Sequence, residues 1–338
     1  KIVRLWRFPP ADLKIIKDDW TTIVTKIRNG KAHEISEGDT IYLGACTKGA
    51  NKESLRKQPF SEEMAMQRAF SLKSKYLNFI IEKSLIGEEV VFNLEDYLPI
   101  LNDNPFGIDD PYAPYKRINL ADLEPIVKNV KEYSTGETFE QLVTRKFAPY
   151  YGKTDIEIIE KFDLNISSAK SKFHLIAKAI LGISKKKIEE FEKADIEMKT
   201  IRLEKTGVLK ESMSFAQIKF KEIIDEEWDE SYWNYILTKR FFFVVFQKNE
   251  NDNFVLRKVQ FWTMPLKDLK KSRLFWEDTK KKILNDDYEN FIKISDNRIC
   301  HVRPKGANSF DLMETPTGRM EKKKCYWLNA SYIKSIIQ

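Results

Sequence analysis

Trp6-Arg7-Phe8-Pro9-Pro10-Ala11-Asp12-Leu13-Lys14 and Trp262-Thr263-Met264-Pro265-Leu266-Lys267-Asp268-Leu269-Lys270 are the stretches on which the reading of this chain turns. Trp, Pro, Asp, Leu and Lys recur in them at one offset, 256 residues. The offset continues through Trp20 and Trp276, Lys26 and Lys282, Ile27 and Ile283, and Asn29 and Asn285. That makes nine identities in the 24 positions from 6 to 29, where ordinary residue frequencies give roughly one or two. After a one-residue slip, Lys48-Gly49-Ala50-Asn51 returns as Lys305-Gly306-Ala307-Asn308, and Leu55 as Leu312. The first offset then resumes for Leu72 and Leu328, Tyr76 and Tyr332, and Ile80-Ile81 and Ile336-Ile337.

Internal similarity of this kind marks two copies of one module, here residues 1 to about 84 and 257 to 338. The second copy follows a long stretch, about 137 to 256, with helices and strands of its own. Nothing precedes the first copy. The expectation is therefore a fragment: the tail of one domain (1–87), a linker (88–136) and one complete domain (137–338). Pro99, Pro105, Pro111, Pro114 and Pro125 crowd the linker, with Asn and Asp between them, as turn-rich connectors require.

Composition narrows the class. Of the 338 residues, 42% are hydrophobic, which excludes a mainly disordered or collagen-like chain. No apolar run has the ~18 residues of a membrane span, and the start has no signal-peptide plan. Cys46, Cys300 and Cys325 are few, odd in number and not in CxxC spacing, which points to a reducing, cytoplasmic setting without disulfides or a zinc ribbon. His33, His174 and His301 are too scattered in sequence for a histidine-rich metal site. A net charge of +7 permits nucleic-acid binding without demanding it.

Apolar spacing predicts helices over 11–29, 74–84, 138–147 (capped by Thr138), 155–163 and 168–182. It predicts strands over 41–43, 69–72, 195–203, 213–220, 241–246 and 254–263. The run Phe241-Phe242-Phe243-Val244-Val245-Phe246 reads as a strand buried on both faces. The fold class is α/β in the mixed α+β sense, with a mainly antiparallel sheet. Trp20 and Trp276 read as core, His174 as a structural histidine on an apolar helix face, and the cysteines as buried thiols.

Three signals could carry chemistry. On a strand, Glu197 and Lys199 share a face. A carboxylate there can hold Mg²⁺ while the lysine positions an attacking water, with Glu190 as the second acid; a surface ion pair is the plainer alternative. The two Lys-Gly-Ala-Asn loops combine a glycine that permits close approach with residue types that read base edges; the alternative is a solvated turn. Arg68, Lys73 and Lys75 around Phe70, and Lys322-Lys323-Lys324 before Tyr326-Trp327, interleave cations with aromatics, as suits a DNA backbone.

Several separate segments, in order, resemble the MutH family of GATC-directed endonucleases. The resemblance is nearest to a restriction-enzyme branch with two MutH-like domains in tandem. Gly30 through Gly38, Cys46 through Asn51 and Gln67 through Ser74 look like the end of its first domain. Lys210 through Phe215 and Cys300 through Pro304 look like its second.

The resemblance implies a MutH-like restriction-endonuclease fold, a mixed sheet flanked by helices. It implies a type II enzyme cutting double-stranded DNA at GATC with Mg²⁺. The catalytic motif of the first domain would lie upstream of Lys1, and that missing segment would be a partner of this chain. The second domain would be an allosteric DNA-binding copy, with self-association on looped DNA. Glu197 and Lys199 match the family's Glu-x-Lys pair, but Glu190 replaces an aspartate and Lys178 a further carboxylate. A degenerate catalytic set (Glu190, Glu197, Lys199) and a doubtful metal pair (Glu190, Glu197) follow, so the fragment should be inactive alone.

For DNA binding, the resemblance points to Lys48, Gly49, Asn51, Arg68, Ser71 and Lys73 in the first copy. In the second it points to Arg303, Lys305, Gly306 and Asn308. Ser71, where the repair enzyme has a tyrosine, implies tolerance of adenine methylation. Two alternatives stay open: a residual Mg²⁺-dependent nuclease built on Glu190, Glu197 and Lys199, and a non-enzymatic architectural DNA-binding protein.

Overall fold

A computed structural model of the chain describes residues 6–48, 54–85, 119–166, 171–296, 299–306, 308 and 310–338. It forms two compact units, Lys1–Lys146 with Lys178–Glu197, and Phe147–Ala177 with Met198–Gln338. Residues 137–146 and 178–197, assigned by sequence to the second domain, thus group with the first copy.

In the first unit, α1 (Pro10–Arg28) begins on a proline, whose fixed φ and missing N–H suit a first helical position. It ends on Asn29-Gly30. Gly30 has φ +69°, and a Cβ there would lie 2.5 Å from the Phe60 carbonyl oxygen, so only glycine closes this corner. β1 (Leu43–Thr47) pairs antiparallel with β4 (Arg68–Leu72); β2 (Leu55–Gln58) and β3 (Ser61–Met66) form a hairpin between them. α2 (Ser74–Leu85) follows.

The first strand begins two residues later than the sequence predicts. Asp19, on the buried face of α1, accepts the backbone N–H groups of Ile41, Tyr42 and Leu43 at 2.7, 2.7 and 2.8 Å. Those donors are withdrawn from sheet pairing. Burial pushes the Asp19 carboxyl up to about 6, against the opposing pull of the same three bonds.

The same unit holds β5 (Leu123–Glu124) parallel to β6 (Lys187–Ile188), α3 (Phe139–Phe147) and, further along the chain, α6 (Glu189–Ala194). Thr138 and Gln141 cap α3 reciprocally. Lys193 of α6 is buried, 2.9 Å from Asp12 and 2.7 Å from Glu189, with its ammonium 4.2 Å from the Phe79 ring centre. An ammonium so deep needs such partners to offset its lost hydration.

The second unit contains α4 (Asp155–Lys161), the strands β8 (Met213–Gln217), β9 (Arg240–Lys248) and β10 (Phe254–Trp262), and the helices α7 (Phe220–Ile223) and α8 (Tyr232–Thr238). α5 (Lys172–Ile180) and β7 (Ile196–Leu203) complete the series ahead of the second copy. β9 lies between β10 and β7, and Phe241–Phe246 are buried without a break, as a strand covered on both faces must be. Truncating one of these phenylalanines to alanine costs about 3–5 kcal/mol.

The second copy then repeats the first in structure. α9 (Leu266–Leu284) has the 19 residues of α1 at the same offset. β11 (Cys300–Pro304) pairs with β14 (Lys324–Leu328), Cys300 facing Leu328 as Leu43 faces Leu72. In the hairpin of β12 (Leu312–Glu314) and β13 (Met320–Lys322), Leu312 faces Lys322 as Leu55 faces Met66. α10 (Ala330–Ile337) closes the copy. The Tyr76 hydroxyl donates to Asp12 at 2.9 Å, and the Tyr332 hydroxyl to Asp268 at 3.1 Å.

Two expectations about packing need correction. Trp276 is buried, its ring 5.7 Å from Trp228, but its counterpart Trp20 is 48% exposed. The helices match; the 3₁₀ turn Trp228–Glu230 and α8 that pack on α9 have no counterpart among the described residues of the first copy. His174 on α5 is exposed rather than packed. None of the three cysteines is in a disulfide; Cys300 and Cys325 are buried and Cys46 is half-buried.

Asp19 gives the first unit a pH signature. Its carboxyl binds a proton more tightly in the fold (about 6) than at the ordinary value of 3.8. Its contribution is full below pH 3.8 and is lost as pH rises through about 6. The shift corresponds to roughly 3 kcal/mol. Urea unfolding across pH should show the stability of wild type relative to Asp19→Asn falling as pH rises from about 3.8 to about 6, and level above that. A pH-independent difference would contradict this.

Candidate nucleic-acid interface

β11 carries the candidate readers out of the core. Cys300, His301 and Val302 are buried, while Arg303 and Pro304 are exposed. Lys305 follows at the strand's end and is held at three points. Its N–H donates to the Lys323 carbonyl at 2.9 Å, its carbonyl accepts from Gln217 Nε2 at 3.2 Å, and its Nζ donates to Ser214 Oγ at 2.6 Å. The Arg303 guanidinium carbon and the Lys305 Nζ lie 5.0 and 5.4 Å from the centre of the Trp327 ring. Among the described residues, neither cation is ion-paired to a carboxylate.

The loop beyond is tightly built. A Cβ on Gly306 would come within 3.1 Å of the Asp311 Cβ and 3.2 Å of the Asn308 carbonyl oxygen. Asn308 Oδ1 accepts the Phe310 N–H at 2.9 Å, and Phe310 is 87% exposed. Sequence reasoning missed Phe310, Ser214 and Gln217. The pattern of cations before Tyr326-Trp327 did flag the neighbourhood of Trp327.

The first copy presents a different face. Lys48 is exposed at the equivalent strand end, its N–H donating to the Gln67 carbonyl at 2.7 Å. Gly49 and Asn51 lie outside the described residues. Ser71 faces Gly44 across the ladder. Arg68 donates to the carbonyls of Ala45 at 2.7 Å and Ile35 at 2.8 Å, and burial lowers its pKa. Lys73 donates to the carbonyls of Glu37 and Thr40, both at 2.5 Å. Arg68 and Lys73 thus brace the module from within.

The expected catalytic set is not assembled for metal chemistry. Glu190 is 4% exposed, and its two oxygens accept the backbone N–H groups of Ile126 at 2.8 Å and Val127 at 2.9 Å. Burial pushes its carboxyl up to about 7, past the opposing pull of those bonds and of Lys193. An oxygen turned onto an amide and favouring its proton does not fit a Mg²⁺ ligand. Lys178 is buried and donates to the carbonyls of Lys185 and Lys186.

Glu197 and Lys199 are half-buried and two apart on β7, on one face of the strand. The Lys199 Nζ is 5.4 Å from the Phe215 ring centre. Glu190 and Glu197 fall in the first unit and Lys199 in the second. Among the described residues, no group of three or more His, Cys, Asp or Glu is placed to hold a metal ion.

Comparison with known proteins follows the same lines. The family model for the DNA mismatch repair enzyme MutH matches residues 181–278, from just after α5 into α9. The type II restriction enzyme Sau3AI of Staphylococcus aureus is 33% identical over 380 aligned residues, covering 97% of this chain and 71% of that enzyme. The chain belongs to the MutH-like restriction-enzyme family. Its mixed α+β architecture is the MutH-like nuclease fold, and the restriction-enzyme relationship takes in both copies and the segment between them.

In this member of the family, Glu190 serves as a buried bracket for the 126–127 backbone. Glu190→Ala should leave two buried N–H groups without acceptors, at about 1–3 kcal/mol each. Chemical denaturation should therefore show roughly 2–6 kcal/mol lost, and an unchanged midpoint would remove this role.

Proposed function

We propose that this chain supplies sequence-specific binding of double-stranded DNA at GATC to a type II restriction endonuclease. The second copy acts as an effector-site reader, and the first is the carboxy-terminal part of a cleaving domain. The functional modules are taken along the repeat, 1–87 and 137–338, while residues 137–146 and 178–197 belong to the first compact unit. The observation that carries the reading is the exposed end of β11, where Arg303 and Lys305 both stand over the Trp327 ring without a neutralising carboxylate among the described residues. Cations so placed suit a guanine edge or paired phosphates. The GATC assignment rests on the resemblance to the MutH family. No cleavage step is assigned to Glu190, Glu197 and Lys199, because the Glu190 carboxylate is engaged by backbone.

Fluorescence anisotropy tests the reading, with a GATC duplex and a scrambled duplex at ~150 mM salt, where non-specific phosphate binding is weakened, and Ca²⁺ in place of Mg²⁺. The expected result is a preference for GATC of about tenfold or more. Arg303→Ala or Lys305→Ala should cost about 1–3 kcal/mol on GATC alone if the residue reads a base. A uniform loss on both duplexes would mark a phosphate contact. Equal binding of the two duplexes by the unmodified chain would overturn the proposal. A Mg²⁺-dependent nicking assay should show no cleavage, with Lys199→Ala indistinguishable from wild type.

A further inference from the structure

Trp327 occupies the middle strand of the sheet β11–β14–β8. Across one ladder it faces His301, and across the other it faces Ser214. The His301 ring stacks on it at 6.0 Å and 19°. Arg303 and Lys305 share the ring. The Lys305 ammonium reaches the strand beyond, ending on Ser214. An aromatic ring is one of the few uncharged groups that attracts two cations at once. The indole therefore holds the two side chains in chosen directions while leaving their charge uncancelled.

The first copy provides an internal comparison. Its strands pair in the same register. At the places of His301, Arg303, Lys305 and Trp327 it has Gly44, Cys46, Lys48 and Ser71. The lysine is common to both copies. The ring and the second cation belong to the second copy alone.

We propose that Trp327 is a positioning residue for DNA recognition by the second copy, fixing Arg303 and Lys305 before DNA arrives so that they meet the duplex already aimed. The role rests on the DNA-reading function proposed above. Side chains held in their bound directions lose less freedom on binding, and a misaimed reader loses discrimination before it loses general attraction. Trp327 thus governs preference between sequences. General affinity depends on cations that remain when the ring is removed.

The test is anisotropy of the full chain on GATC and scrambled duplexes for Trp327→Ser, Trp327→Phe, Lys305→Ala and the double variant Trp327→Ser/Lys305→Ala. Trp327→Ser should lower the GATC preference roughly tenfold, with scrambled-duplex affinity and its salt slope unchanged. Trp327→Phe, which keeps a ring, should retain most of the preference even if the serine variant is poorly folded. The double variant should be no weaker on GATC than the weaker single variant, because ring and lysine act as one device. Equal loss on both duplexes, loss of preference in Trp327→Phe as severe as in Trp327→Ser, or multiplying effects in the double variant would overturn the role while leaving DNA reading intact. If Lys305→Ala and Trp327→Ser both leave the two duplexes unaffected, the DNA-reading assignment fails as well.

Discussion

A tyrosine hydroxyl donating to an aspartate carboxylate 64 residues upstream joins the ends of each copy. The aspartate sits in the first turn of the leading helix and the tyrosine in the closing helix. Everything between them, two ladder strands and a hairpin, is confined to the loop that this bond closes. In the first copy Asp12 also takes the Lys193 ammonium, and the bond is fully buried. In the second, the cation on Asp268 among the described residues is an exposed lysine, Lys271, at 3.6 Å. The shared contact accounts for the shared frame; the added charge belongs to the packing of the first unit alone.

Much of the frame was legible in the sequence because its signals are local. Repeated residues at one offset gave the two copies, and 3.6-residue spacing gave α1, α2 and α3 nearly to their ends. The apolar run at 241–246 gave β9 and its place inside a sheet. What escaped was decided by distant groups. The Ile41 and Tyr42 amides look ready for a strand until Asp19, 22 and 23 residues earlier, takes them. Trp20 and Trp276 have the same spacing on matching helices, and only the segments packed on those helices tell them apart. Periodicity shows that a stripe exists and is silent about what lies across from it.

The candidate site was readable to the same extent and for the same reason. The strand ends bearing Lys48 and Lys305 followed from the repeat, and their exposure agrees with a binding edge. The partners of Glu190, a doubtful metal ligand by sequence, could not be read there, because the Ile126 and Val127 amides are more than 60 residues away and belong to backbone. Arg68 and Lys73 look like surface cations in a string of letters; in the fold they grip carbonyls. A charged residue's type states what it can do, and its tertiary partners decide which of those things it does.

The common register of β1–β4 and β11–β14 makes these strand pairs interchangeable parts. Their ladders are held by backbone groups, which are indifferent to the outward side chains. Gly44 and Ser71 in one frame, and His301 and Trp327 in the other, are two texts written on one page. Divergence after duplication could rewrite a face without moving a strand. A graft of Cys300–Leu328 for Leu43–Leu72 would meet a scaffold already cut to its measure, the one-residue difference in length falling within the hairpin, where the first copy has a bulge and the second has none.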